Sequence, residues 1–256
     1  MKKGIVNQSL VAVRREPSES SEMINQLLFG ETFTIIETYS SWLRIISIND
    51  SYEGWLDSKL TGLIPDDLAL QHDNSKTSNA LFSAKIIGGN HPIRLCPGSS
   101  IYGYDNGHFI AGRNSYECIE SPFTESKMNI NEELVRIAKQ FVNSPYLWGG
   151  RSPYGIDCSG LTQVVYKILG INIPRDAGQQ VKKGETVDFI TLVQPGDLAF
   201  FDNDEEMITH VGIIIDNGRI LHSSGYVRIE SLDHQGIFNL DTQKYSHKLR
   251  VIKRIL

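Results

Sequence analysis

The run Ser144-Pro-Tyr-Leu-Trp-Gly-Gly-Arg-Ser-Pro-Tyr-Gly-Ile-Asp-Cys158-Ser-Gly-Leu-Thr-Gln constrains this chain more than any other stretch. A Gly- and Pro-rich loop passes directly into Asp157-Cys158-Ser159-Gly160, and a helical pattern begins there. Leu161, Val164, Val165, Ile168 and Leu169 recur at i, i+3, i+4, i+7 and i+8, which is one apolar helix face. Gly170 marks the stop and Pro174 follows it. Cys158 is therefore expected at the first turn of a buried helix. The unpaired N–H groups there favour thiolate over thiol and can receive an oxyanion forming on a substrate carbonyl.

A nucleophilic cysteine needs a base. His210 precedes a β-branched apolar run, Asn217-Gly218 is a strong two-residue hairpin turn, and Arg219-Ile-Leu-His222 returns as the next strand. In a tight antiparallel hairpin His210 and His222 fall near the same end of the ladder. One can serve as base and the other can orient it, which generalises nucleophile–base–orienter logic. Cys158, His210 and His222 are also zinc-type donors, but no close Cys-x-x-Cys or His-x-x-x-His pair accompanies them. No metal and no cofactor are expected. Cys158 as an inert core thiol is disfavoured by its place between a Gly-rich loop and a helix start.

Five blocks in order, Pro-Tyr-Leu-Trp-Gly-Gly, Asp-Cys-Ser-Gly-Leu, Ile-Pro-Arg-Asp, Pro195-Gly-Asp-Leu-Ala-Phe-Phe, and Thr-His-Val-Gly-Ile with Leu-His-Ser-Ser-Gly, resemble the NlpC/P60 family of papain-like cysteine peptidases that cut bacterial cell-wall peptides. The resemblance covers residues 128–256. It implies Cys158 as nucleophile, His210 as general base and His222 as the orienting third residue. It also implies that Tyr146 and the Cys158 N–H stabilise the oxyanion.

The preceding half reads as β structure. Residues 5–64 carry short apolar and alternating runs separated by turns, including Leu10–Val13, Leu27–Glu37, Trp42–Ile48 and Trp55-Leu56, the spacing of a small barrel. The order Arg, Pro-Ser, Leu, Gly-Glu, Trp-Leu-Arg-Ile, Tyr-Glu-Gly-Trp-Leu resembles bacterial SH3-like domains. Pro65 to Thr77 reads as a linker. Residues 80–122 repeat a weaker β pattern at Leu81-Phe82, Ile86-Ile87, Ile93–Leu95, Phe109-Ile110 and Tyr116, too small to bury a core without its neighbours. Phe33, Trp42 and Phe109 are expected in barrel cores, and Cys96 and Cys118 as core thiols there. Past a cap at Asn129 or Asn131, apolar residues 134, 137, 138 and 141 predict an amphipathic helix. Helices first and a meandering antiparallel sheet after them, ending in an alternating strand from Lys248, give an α+β order. The expected architecture is α+β, a papain-like cysteine peptidase core at 128–256 preceded by two small all-β SH3-like barrels at 1–65 and 78–124.

The resemblance sharpens the expected substrate. Members paired with SH3-like domains in this arrangement look like γ-D-glutamyl-L-diamino acid endopeptidases, which take peptides with a free N-terminal L-alanine and cut between D-glutamate and meso-diaminopimelate. A buried ammonium needs a carboxylate partner. Asp157 is the natural one, with Ser159 beside it. By resemblance a Tyr and a Glu of the first SH3-like domain close the cleft, and Tyr52 and Glu16 are the candidates, with Glu19 and Glu22 as rivals. Asp176 lines the same pocket or caps a helix. Ala177 stands where some relatives carry a serine. His72, His91, His108, His234 and His247 are read as loop or turn residues without a role.

A formal charge of -5 over 256 residues argues against nucleic acid. No run approaches the ~18 apolar residues of a membrane span. No signal peptide is read at the N-terminus, where Asn7, Gln8 and Ser9 interrupt any apolar stretch, so a cytoplasmic location is expected. A monomer acting on a muropeptide is the expected form, with a wall-lytic hydrolase or amidase of the same fold as the alternative.

Overall fold

The computed structural model describes residues 2–65, 75–79, 85–88, 91–203 and 205–256. The chain divides into two compact units, one of residues 1–125 with 151–153, the other of residues 126–150 with 154–256. Among the described residues no helix is long and apolar enough to cross a membrane.

The first unit is all β. One antiparallel sheet runs in the order Met23–Leu28, Leu10–Arg14, Glu53–Asp57, Trp42–Ser47, Thr32–Tyr39, Lys3–Val6, Thr61–Ile64. Alternation along these strands turns Val6, Val11, Val13, Leu27, Phe33, Leu43, Ile45 and Leu56 into one buried cluster. A second sheet runs in the order His91–Arg94, Lys85–Gly88, Asn114–Cys118, His108–Ala111, Ser100–Asp105, Ser75–Thr77. Its core is not its own. Ile86, Ile101, Phe109 and Tyr116 pack with Ile5 and Ile64 of the first sheet and with Phe29 in the turn after Met23–Leu28, and the Tyr102 hydroxyl donates to the Gly30 carbonyl at 2.8 Å. Gly30 has φ of +78°, and a Cβ there would lie 1.9 Å from the Ser100 carbonyl oxygen, so this approach requires glycine.

Three readings change here. Ser75–Thr77, expected within the linker, is a strand paired with residues 100–102. Ser100–Asp105 is a strand that the sequence did not announce, because Gly103 and polar neighbours break its alternation. His91, His108 and His247 are on strands, not in loops. Residues 66–74 of the linker, His72, and the Leu81-Phe82 run lie outside the described residues. Phe33, Trp42 and Phe109 are buried as expected. Cys96 and Cys118 are free thiols, the first buried.

In the second unit, helix α1 (Ile130–Lys139) is capped by Asn129, whose side chain accepts from the Glu132 N–H at 3.0 Å. Helix α2 (Cys158–Ile168) is buried along nearly its whole length, and Gly170 ends it with φ of +79°. Helix α3 (Ala177–Gln180) is one short turn. The sheet runs Glu185–Thr186, Lys244–Arg254, Leu198–Asp202, Ile208–Asp216, Arg219–Ser224, Tyr226–Leu232, Gly236–Asn239. The long strand Lys244–Arg254 also pairs with Gly236–Asn239, so six of these strands close into a barrel. Ala199, Phe201, Ile214, Ile220, Leu232, Ile237 and Ile252 form one buried cluster of this barrel. α2 packs against the strand Ile208–Asp216, which is a continuous apolar run because it is covered on both sides.

Candidate active site

Cys158 is the first residue of α2 and Asp157 its N-cap. The Asp157 carboxylate is a hub. Oδ1 accepts from the Gly160 N–H at 2.7 Å, from Arg175 at 2.9 Å and from the Ser159 hydroxyl at 3.3 Å. Oδ2 accepts from the Gly149 N–H at 2.8 Å and from the other Arg175 terminal nitrogen at 2.5 Å. Arg175 is itself buried, at 2 % exposure, and also donates to the Ser159 hydroxyl. One carboxylate thus starts the helix, fixes the Gly-rich loop by its Gly149 amide and neutralises a buried guanidinium. Five donors fill an acceptor of about four lone-pair sites.

The loop before Cys158 is fixed from its other side. The Tyr146 N–H donates to the Gly225 carbonyl at 2.9 Å, and Pro145 bridges to Tyr226. The Ser223 hydroxyl donates to the Ile156 carbonyl at 2.8 Å. These bonds tie the nucleophile's loop to the end of the strand that carries His222.

The two histidines meet through strand register. Asp216 pairs with Arg219 around the Asn217-Gly218 turn, and Gly212 pairs with His222. His210 lies two residues from Gly212 and shares its face, so His210 and His222 are diagonal neighbours. Gly212 leaves room for this, since a Cβ there would lie 2.9 Å from the His222 Cβ. His210 Nε2 and His222 Nδ1 are 2.9 Å apart. His222 Nε2 lies 2.8 Å from Glu230 Oε2, and Asn239 Nδ2 donates to Glu230 Oε1 at 2.6 Å. His222 is fully buried and His210 nearly so. His247 stacks on His210 with ring centroids 4.2 Å apart.

Cys158 adjoins this pair, because the Val211 N–H next to His210 is a donor toward its sulfur. Burial, and then the Asp157 charge, push the Cys158 thiol up to about 11. The Val211 and Ser159 N–H groups and Arg175 pull the other way without prevailing. The helix-start N–H groups favour thiolate as expected, but desolvation outweighs them. His210 is held well below its ordinary 6.5 by burial first and by His247, His222 and Arg228 next. The resting pair is neutral thiol and neutral imidazole, so the thiol proton must move to the base during attack. Tyr146 is exposed at 36 %, yet partial desolvation, and next the Cys158 and Asp157 charges, keep it a phenol, pushed up to about 12. It retains its O–H donor near the sulfur.

Among the described residues, ring nitrogens of His210, His222 and His247 fall within 4.8 Å of one another. His210 Nε2 is engaged by His222, and the His247 ring stacks on the His210 ring at an inclination of 25°.

The structure brings together Asp157, Cys158, Ser159, Tyr146, His210 and His222 of the sequence-predicted set. Asp176 takes the N-cap position of α3 but makes no capping hydrogen bond. Tyr52 and Glu16 belong to the first unit. The Tyr52 hydroxyl donates to the Ile24 carbonyl at 3.5 Å. Glu19 pairs with Arg14 and Glu22 with Arg15, whereas exposed Glu16 makes no salt bridge among the described residues. Sequence reasoning missed Arg175, Glu230, Asn239 and His247. Arg175 stood in the Ile-Pro-Arg-Asp block without a role. Glu230 was reachable by counting strand alternation from His222 across the Gly225 turn, where His222 pairs with Arg228.

Residues 143–246 match the NlpC/P60 family, and residues 13–59 match the bacterial dipeptidyl-peptidase SH3 domain. A γ-D-glutamyl-L-lysine dipeptidyl-peptidase of Bacillus cereus is 44% identical over 241 residues, covering 80% of this chain and 68% of the relative. The Bacillus subtilis protein of the same name is 30% identical over 213 residues, covering 77% and 71%. The crystal structure of an NlpC/P60 family protein from Bacillus cereus superposes with a TM-score of 0.78 at 21% identity, covering 99% of both chains. With its helix-borne cysteine, its histidine pair and these relatives, the chain belongs to the NlpC/P60 family of peptidases.

Proposed function

We propose that this peptidase is a γ-D-glutamyl-L-diamino acid endopeptidase that acts on free wall peptides beginning with L-alanine. The Cys158 sulfur attacks the γ-glutamyl carbonyl while its proton passes to His210. His210 then protonates the leaving amine, and water clears the thioester. His222 orients His210. Tyr146 and the Cys158 N–H face the oxyanion. The observation that carries this reading is the buried His210–His222 hydrogen bond set beside the first residue of α2. The names of the two Bacillus relatives support the bond and the substrate class.

Recognition of the free amine is the finer part of the proposal. Asp157 and Ser159 flank the nucleophile, but the Asp157 charge is already paired with Arg175. Asp176, at the N-cap of α3 in the same unit as Cys158, is the carboxylate we assign to the ammonium.

Mass spectrometry tests both parts. L-Ala-γ-D-Glu-meso-diaminopimelate and its lysine counterpart, each free and N-acetylated, are incubated with the enzyme and with Cys158→Ala. Release of L-Ala-D-Glu from the free peptides alone, absent with Cys158→Ala, is the expected result. Equal cleavage of acetylated peptide overturns the amine recognition. Cleavage of intact sacculi with neither peptide cut moves the reading to a wall-lytic enzyme.

A further inference from the structure

Glu230 is a buried carboxylate that the mechanism above does not use. Its side chain is 9% exposed. It sits at the far end of a hydrogen-bonded line, Glu230 Oε2 to His222 Nε2, then His222 Nδ1 to His210 Nε2, at 2.8 and 2.9 Å. We infer that Glu230 is a positioning residue that sets the tautomer of both histidines and thereby leaves His210 Nδ1 unprotonated to take the Cys158 proton.

The argument is one of donors and acceptors. A carboxylate only accepts, so the His222 nitrogen facing it must carry hydrogen. Neutral His222 then has a bare Nδ1. That bare Nδ1 needs a donor, which makes His210 Nε2 the protonated nitrogen. Neutral His210 is left with a lone pair on Nδ1, its remaining ring nitrogen. One charge fixes two rings in series, the logic by which an aspartate holds the histidine tautomer in serine peptidases.

The carboxylate is itself held. The Thr242 N–H and hydroxyl both donate to Asn239 Oδ1, at 2.9 and 3.1 Å. A backbone N–H can only donate, so the Asn239 atom it meets is the oxygen, and the amide NH2 is turned onto Glu230 Oε1. Arg228 Nε lies 3.1 Å from Oε2 but makes no hydrogen bond there, so it supplies charge and no direction. This has a sharp consequence for Glu230→Gln. Asn239 demands the glutamine oxygen at the Oε1 position, which forces the glutamine NH2 toward His222 Nε2. His222 must then accept there and carry hydrogen on Nδ1. His210 becomes protonated on Nδ1 and cannot act as base.

The inference rests on the cysteine-peptidase reading, but its first test needs no substrate. Nitrogen-15 NMR of the wild-type protein at pH 7.5 reports which ring nitrogens carry hydrogen. Hydrogen on Nε2 of both His210 and His222 is expected, and hydrogen on Nδ1 of both overturns the inference whatever the variants do. In Glu230→Gln the expected result is the inverted pair. The expected kcat loss is about 10²-fold or more, with KM changed less than about threefold. The double variant Glu230→Gln/Asn239→Ala frees the glutamine to turn its oxygen onto His222, and it should recover about tenfold or more of the lost kcat. A Glu230→Gln enzyme with kcat within about threefold of wild type refutes the inference. So does a loss with unchanged tautomers, or a double variant no faster than the single. If wild type shows the stated tautomers yet cuts no peptide, the substrate reading fails and the relay stands.

Discussion

Arg175→Met removes one half of the buried pair that anchors the nucleophile. In the native unit the guanidinium and carboxylate are 2 % and 7 % exposed as side chains. Removing one partner of such a pair leaves an uncompensated charge and costs about 3–5 kcal/mol. Asp157 keeps the Gly149 and Gly160 amides and the positive end of α2, which offsets about 0.3–1 kcal/mol. The expected loss is therefore about 3 kcal/mol, or roughly 10 °C in Tm for a unit of this size. Asp157→Ser alone strands Arg175 and should cost a similar amount. The double variant strands neither charge and keeps a capping oxygen, so the two losses should fall short of additivity by about 2 kcal/mol or more. Calorimetric melts of the four proteins measure this cycle. Arg175→Met should also slow iodoacetamide alkylation of Cys158, because Arg175 is one of the groups pulling its thiol down. A Tm within about 2 °C of wild type for Arg175→Met, or additive losses, would falsify the assignment of this pair as the anchor of the loop.

Four further expectations follow from the same structure. His210 must be neutral to act as base and is held well below 6.5 by burial, so the acid limb of kcat/KM should lie below 6.5, and a limb at or above that value contradicts its depressed state. Burial also lowers His247, to about 4; since both imidazoles resist protonation when folded but not when unfolded, stability should be full above 6.5 and fall as pH drops below it, less steeply in His247→Phe, as pH-dependent urea melts would show. Glu31→Gln breaks the first unit's buried bidentate pair with Arg151, formed at 2.8 and 2.9 Å, and should destabilise that unit by about 3–5 kcal/mol in denaturant titration. Gly212→Ala places a methyl against Ile220 and the His222 Cβ at 2.7–2.9 Å and should lower kcat while the melt changes less, whereas unchanged kcat means the His222 ring tolerates displacement.

Much of the site was written locally. The Asp157-Cys158 start of α2 follows from the Gly-rich loop, the capping aspartate and the helical period, all within 30 residues of chain, and the structure places them so. The hairpin joining His210 and His222 follows from Asn217-Gly218 and period-2 alternation. What lay beyond reach depended on distant chain. The protonation of Cys158 is decided by how completely α2 is covered, and a sequence shows the helix start but not the desolvation that outweighs it. Arg175 reaches Asp157 only after α2 has turned back at Gly170, and His247 reaches His210 only because Lys244–Arg254 pairs on both edges and closes the barrel. The sequence by itself determined which element carries the cysteine and which hairpin carries the histidines, because caps, turns and periodicity act over a few residues. Only the tertiary structure decided which charges are neutralised, which proton sits on which ring and how Glu230 enters the line, because these depend on burial and on partners brought together by strand register and closure.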